Sequence, residues 1–175
     1  AAGLLREGLG CAGRNRRSAT IKIRRVRREA RDRKAVLELA RNTYDGDDYI
    51  HERFDEWTQE EEALHPNGVE NYFVGAESEK GTLIACENMA IRDNGLTCWL
   101  EGLRVHPDYR GLGHASRLQG HLVDIAVSLK AKSSGTTTRR TSSPNRAPNP
   151  QCIRLTTTIN NLASKHLAEK FQLQP

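Results

Sequence analysis

Residues 105–115 read Val-His-Pro-Asp-Tyr-Arg-Gly-Leu-Gly-His-Ala. A glycine-rich turn that opens a helix is a seat for an anion. The first backbone N–H groups of a helix have no partner within it, and the helix dipole adds partial positive charge there. Gly111 and Gly113 remove the side chains that would hold an anion off the backbone, and Arg110 adds a cation at the entrance. Together they predict a nest for a pyrophosphate. No Gly-Lys-Ser or Gly-Lys-Thr is present, which disfavours a nucleoside-triphosphate loop. No βαβ unit with an acid some twenty residues on opens the chain, which disfavours a dinucleotide fold.

A charged residue in a core strand also needs a reason. Glu101 stands among Trp99, Leu100 and Leu103 in 97–105 (TCWLEGLRV). Such a carboxylate either serves a site or is turned by strand alternation to solvent or a salt bridge. Both readings stand on the sequence. Glu87, in the preceding apolar run, is the reserve candidate.

The elements that must hold these residues follow from periodicity. Residues 20–27 (TIKIRRVR) alternate apolar and basic and read as an edge strand. Over 30–43, Val36, Leu39, Ala40 and Thr43 share one helical face. Asp45-Gly46-Asp47-Asp48 ends that helix, and an acidic helix over 51–63 follows, with Phe54 and Trp57 as its apolar side. Strands at 71–76, 82–91 and 97–105, joined by Glu79-Lys80-Gly81 and Asp93-Asn94-Gly95, make an antiparallel meander. Leu112, Ala115, Leu118, Leu122, Ile125 and Leu129 then recur at helical steps. Residues 152–157 (CIRLTT) read as a strand, and Ile159, Ala163 and Leu167 mark a last helix. A crossover helix makes the strands it joins parallel. The fold class is α/β of the α+β kind: one mixed sheet with helices on both faces.

Composition sets limits. At 175 residues the chain is one domain by length, and its 37% hydrophobic content is low enough to predict unstructured stretches. Residues 1–19 read as a disordered basic leader, and 20–175 as the domain, interrupted by a low-complexity insert at 131–150 (AKSSGTTTRRTSSPNRAPNP). No run has the length of a membrane span. Cys11, Cys86, Cys98 and Cys152 lie far apart without a CxxC. That argues against a zinc site and for small buried hydrophobes in a reducing, cytoplasmic compartment, the Arg-rich leader leaving an organellar alternative. The net charge of +5 hides opposed blocks. Residues 14–34 hold eleven Lys and Arg, and residues 45–62 hold nine acids. A basic run without a reading motif is more often a solvated face, so no nucleic-acid partner is expected.

Arg110-Gly111-Leu112-Gly113-His114-Ala115, led in by Leu103-Arg104-Val105-His106-Pro107 and Tyr109, resembles the R/Q-x-x-G-x-G/A signature of the GNAT N-acetyltransferase superfamily. The element order matches that fold over about 20–173. Tyr44-Asp45-Gly46-Asp47-Asp48-Tyr49, Phe54 and Trp57, Leu100-Glu101-Gly102-Leu103-Arg104-Val105 and Ile153-Arg154-Leu155-Thr156-Thr157 are similar to the vertebrate histidine N-acetyltransferase group.

The resemblance implies acetyl-CoA as co-substrate, no metal, and direct attack of an amine on the thioester. The acceptor is a small-molecule amine or amino acid, such as the α-amine of L-histidine, and Glu101 is the base that takes its proton. Gly102 marks the bulge of the fold, the backbone of Leu103 and Val105 holds the pantetheine arm, and residues 110–115 hold the pyrophosphate. Tyr44, Asp47, Asp48, Tyr49 and Trp57 border the acceptor, or form a solvated acidic loop with core aromatics. Asn160 or Asn161 contacts CoA while the other caps the last helix. His114, His121 and His166 read as surface or helix-face residues. The chain departs from the family in its insert and in ending after the last helix, so the C-terminal strands are expected to be missing and the chain incomplete. The usual Tyr acid is absent: Leu167 or Ala168 takes its place. The alternatives are a degenerate acyl-CoA-binding fold acting as an interaction module, and an acetyltransferase of another amine or of a protein N-terminus.

Overall fold

The computed structural model describes residues 20–41, 43, 46–59, 70–134, 148–157 and 161–173. The basic leader, Tyr44, the centre of the 131–150 insert, Ile159 and Asn160 lie outside the described residues.

The order is β1 (Ile21–Arg25), α1 (Ala30–Ala40), α2 (Ile50–Trp57), β2 (Glu70–Ser78), β3 (Leu83–Arg92), β4 (Thr97–Val105), a one-turn 3-10 helix (Pro107–Tyr109), α3 (His114–Ser134), β5 (Cys152–Leu155) and α4 (Leu162–Lys170). One sheet carries the strands in the order β1-β2-β3-β4-β5. The first three pairings are antiparallel. β4 and β5, joined through α3, are parallel, as the crossover rule predicts.

Helices cover both faces. Val36, Leu39 and Ala40 of α1 and Ile50, Phe54 and Trp57 of α2 bury against Phe73, Leu83 and Cys86. On the other face Leu118, Leu122 and Ala126 of α3 bury against Val74, Met89, Ile91, Cys98 and Leu100. The three- and four-residue spacing on α3 and the two-residue spacing on the strands meet there. Each fully buried aliphatic or aromatic side chain adds about 1.5–3 kcal/mol to this adhesion. On α4, Leu167 is buried as expected, but Ala163 is exposed.

Several boundaries differ from the sequence reading: α1 ends at Ala40 rather than 43, α2 ends at Trp57 rather than 63, and the insert is held at both ends. α3 continues to Ser134, so its helix takes the first residues of the low-complexity stretch. Ala and Lys propagate a helix that is already nucleated. The far end of that stretch is also held: the N–H groups of Asn149 and Gln151 donate to the carbonyls of Gly95 (3.0 Å) and Leu96 (2.7 Å) in the β3–β4 turn.

Among the described residues of the basic block, several arginines pair with acids. Arg24 forks onto Asp32 (2.6 and 2.9 Å) and reaches Glu77 at 2.8 Å. Arg28 and Arg33 pair with Asp55, and Arg27 with Glu29. Cys86, Cys98 and Cys152 are unbridged. Burial pushes the Cys86 and Cys98 thiols up to about 12, so both are neutral packing groups.

Candidate active site

The glycine turn lies at the end of β4. His106 accepts the Asp108 N–H on Nδ1 at 3.3 Å, and Arg110 donates from Nε to the Val105 carbonyl at 3.1 Å. Gly111 and Gly113 have φ of +74° and +79°, and a Cβ on either would meet nothing within 4 Å. Glycine is required there by backbone conformation, and the space over the turn is open. The Gly113 carbonyl accepts the Arg117 N–H at 3.1 Å, which starts α3, and the first turn of α3 carries no acid. Its leading N–H groups and dipole face the open turn.

His114 is not a surface residue. Its ring is buried, and neither nitrogen has a hydrogen-bond partner among the described residues. Burial first, and Arg117 second, hold its pKa below the usual value, so the ring is neutral. It packs against Tyr109, which packs edge-on against His106. His121 and His166 are exposed.

The register of β4 changes in its middle. Asn88 faces Glu101 and Cys86 faces Arg104, so Gly102 and Leu103 together face Glu87. This is a β-bulge. Gly102 has φ +70°, and a Cβ there would lie 2.8 Å from the Trp57 ring. The Gly102 N–H donates to the Tyr49 hydroxyl at 3.1 Å. Pairing with β5 reaches only Leu100↔Leu155. Beyond it β4 runs on to Val105. The His106 N–H donates to the Ile84 carbonyl at 2.9 Å, so alternation turns the backbone of Leu103 and Val105 away from β3 and toward the edge that β5 leaves.

A cavity of about 190 Å³ opens at this notch. β4 lines it from Trp99 to Arg104, and Glu87, Gln119, Asn161, Ser164 and Leu167 close it. Two carboxyls reach it from opposite sides of the sheet. Glu101 faces Asn88, which faces Phe73, on the α1–α2 side; Glu87 faces Val74, on the α3 side. The side chain of Glu101 is 15% exposed, and its Oε1 accepts from Asn88 Nδ2 (3.2 Å) and Arg92 (3.3 Å). Asn88 Nδ2 also donates to Asn71 Oδ1 at 3.0 Å. Glu87 is 2% exposed, and its Oε2 has no partner among the described residues. Burial raises its pKa well above the usual carboxylate range.

The acidic loop divides. The Asp48 carboxylate is buried and occupied: it takes Arg104 at 2.6 and 3.1 Å and the Ile50 N–H at 3.0 Å. It braces β4 against the start of α2, and Asp47 is exposed. Tyr49 lines the cavity, while Trp57 is buried behind the bulge. Asn161 also lines the cavity, and its Oδ1 caps α4 by accepting the Ser164 N–H at 3.1 Å. Sequence reasoning missed Asn71, Asn88, Arg92 and Gln119. The signal was present as amides and a guanidinium inside otherwise apolar strand and helix faces.

Among the described residues no cluster of His, Cys, Asp or Glu has the grouping of a metal site, and no helix is long and apolar enough to cross a membrane.

Comparison with known proteins agrees with this geometry. The chain is 35% identical over 83 residues to a histidine N-acetyltransferase of Scomber australasicus, 47% of this chain and 22% of that one. It is 32% identical over 93 residues to that of Oreochromis niloticus, 53% of this chain and 25% of the relative. The chain thus spans about a quarter of the length of the curated relatives it matches. The structure of AAC(6')-Iy in complex with the bisubstrate analogue CoA-S-monomethyl-acetylneamine superposes with a TM-score of 0.60 at 17% identity, covering 90% of this chain and 92% of that one. This likeness extends to the fold. The sequence model of the acetyltransferase (GNAT) family matches residues 33–147, well over half the chain and including the bulge and the glycine turn, and the chain belongs to that family.

Proposed function

We propose that this chain transfers an acetyl group from acetyl-CoA to the α-amine of a free amino acid such as L-histidine. The observation that carries the reading is the notch. β4 bulges at Gly102, leaves its pairing with β5 after Leu100, and turns the backbone of Leu103 and Val105 to the open edge. The glycine turn and the start of α3 lie at the far end of that edge. A pyrophosphate fits the α3 terminus, and an extended arm carrying amides fits the edge of β4 as a strand would. The bound thioester supplies an activated acetyl carbon.

Glu101 acts as the base. An ammonium has no lone pair, so the amine must lose a proton before it attacks. Asn88 and Arg92 both bind Oε1 of Glu101, and Oε2 has no partner among the described residues, which leaves it for the amine or a bridging water. Tyr49 holds the bulge through Gly102 and borders the acceptor side. The relatives named histidine N-acetyltransferase support the choice of acceptor.

Calorimetric titration of acetyl-CoA should give saturable binding that Gly111→Val/Gly113→Val abolishes. Thiol release with L-histidine should then fall about 10²-fold in kcat for Glu101→Gln, with acetyl-CoA affinity kept. A folded chain that binds no acetyl-CoA, or a Glu101→Gln chain with full turnover, overturns the reading.

A further inference from the structure

We infer that Glu87 is the proton donor to the departing thiolate, acting from the side of the sheet opposite Glu101. The inference rests on the proposed acetyl transfer and deepens it. Glu87 sits beneath the bulge, opposite the paired Gly102 and Leu103, where β4 opens from β5. It is 2% exposed, lines the cavity, and leaves Oε2 without a partner. A buried polar group without a partner needs an explanation, and a ligand atom arriving in the cavity supplies one. Gln119 repeats the pattern on α3: its Nε2 is buried, unpartnered and on the same wall.

A donor must hold a proton at neutral pH. Burial favours the acid form of the Glu87 carboxyl, which moves it toward the range of a thiol. The other titratable groups facing the cavity are Glu101 and Arg104 on β4 and Tyr49 at the start of α2. Arg104 is engaged by Asp48. Leu155, Thr156, Thr157, Asn161, Ser164 and Leu167 line it from β5, the segment that follows, and α4. None of these gives up a proton at neutral pH.

The step balances. The amine nitrogen forms a bond to the acetyl carbon, and the carbon–sulfur bond breaks with its electron pair on sulfur. The proton of Glu87 passes to that sulfur. Glu101 takes one proton as the ammonium becomes an amine, the second proton that the nitrogen loses on becoming an amide passes to solvent, and exchange with water then returns Glu101 to its anion and Glu87 to its acid. Separate faces of the sheet hold the base apart from the acid.

The test uses the whole chain with acetyl-CoA and L-histidine, beside p-nitrophenyl acetate, whose phenolate leaves without a proton. Glu87→Gln keeps volume and neutrality, and circular dichroism with acetyl-CoA titration checks its fold. The inference expects kcat with acetyl-CoA to fall about 10²-fold, KM to hold, and turnover of p-nitrophenyl acetate to fall far less. Glu87→Asp should restore part of the rate. The wild-type rate should decline on the alkaline side as Glu87 ionises, and that limb should vanish in Glu87→Gln. Equal losses with both donors, or no loss with either, overturn the inference while the acetyl transfer stands. A folded wild-type chain inert with acetyl-CoA overturns both.

Discussion

Asp32 and Glu87 are carboxylic acids buried to nearly the same depth, 1% and 2% exposed, and their surroundings are opposite. At the β1–α1 corner both oxygens of Asp32 are engaged. Arg24 forks onto both oxygens and the Arg27 N–H donates at 2.8 Å. Burial pushes the Asp32 carboxyl up, but the bonds from Arg24 and Arg27 together pull it further down, below its ordinary range. At the β4–β5 notch burial acts on Glu87 alone and raises it. Burial thus ends in opposite directions, with Asp32 held below the ordinary carboxylate range and Glu87 above it. A buried carboxylate with all its partners is architecture; a buried carboxyl without them, on a cavity wall, is available for chemistry.

The largest expected effect breaks the closed corner. Arg24→Met leaves buried Asp32 with only the Arg27 N–H and leaves Glu77 with only Arg31, at 3.9 Å. Removing one partner of a buried pair costs about 3–5 kcal/mol, and the value here should lie near about 3 because Arg24 keeps some solvent contact. Urea unfolding should show this as a lower midpoint. A change below about 1 kcal/mol would mean that solvent already screens the pair, as it does exposed ones.

The next effect breaks the notch. Gly102→Ala places a Cβ at φ +70° and 2.8 Å from the Trp57 ring. The left-handed conformation costs about 1–2 kcal/mol, and the overlap with a packed ring adds about 1 or more. Loss of stability near about 2 kcal/mol is expected, with a larger fractional loss of acetyl-CoA affinity, since the bulge shapes the open edge. Full affinity in a destabilised Gly102→Ala chain would separate the bulge from the binding edge.

The two regions also differ in how far the residues announced them. The meander, the crossover helix and the glycine turn were legible because period-2 and 3.6-residue patterns and turn glycines are local signals. Gly102 as a bulge was legible for the same reason. The division between Asp48 and Asp47 was not, because it depends on Arg104, 56 residues away. Nor was the orientation of Glu101 and Glu87 to opposite faces. A register shift inverts the faces on either side of it, so simple alternation misplaces residues across a bulge. The Asn71–Asn88–Glu101–Arg92 network likewise exists only once β2, β3 and β4 are in register. His114, read as a helix-face residue, turns inward because α3 begins at that residue and its first turn lies over Tyr109.

The last effect, smallest within any one pH unit, separates the two acids by pH. Asp32 has a depressed folded pKa, so its contribution is full above the unfolded value of about 3.9 and is lost as pH falls through the folded one. Glu87 has a raised folded pKa, so its contribution is full below the unfolded value of about 4.3 and is lost as pH rises through the folded one. Between those limits the unfolded chain releases the Glu87 proton while the folded chain keeps it, and stability falls by about 1.4 kcal/mol per pH unit from this group alone. Glu87→Gln removes that slope. Its stability near pH 4 should match the wild type within about 0.5 kcal/mol, and on raising the pH it should gain on the wild type. Arg24→Met should change the profile in the other sense, flattening the loss on acidification. Thermal unfolding of the three chains across pH 3–8 makes the comparison, and parallel profiles for Glu87→Gln and wild type would show that Glu87 finds in solution a partner for its charge.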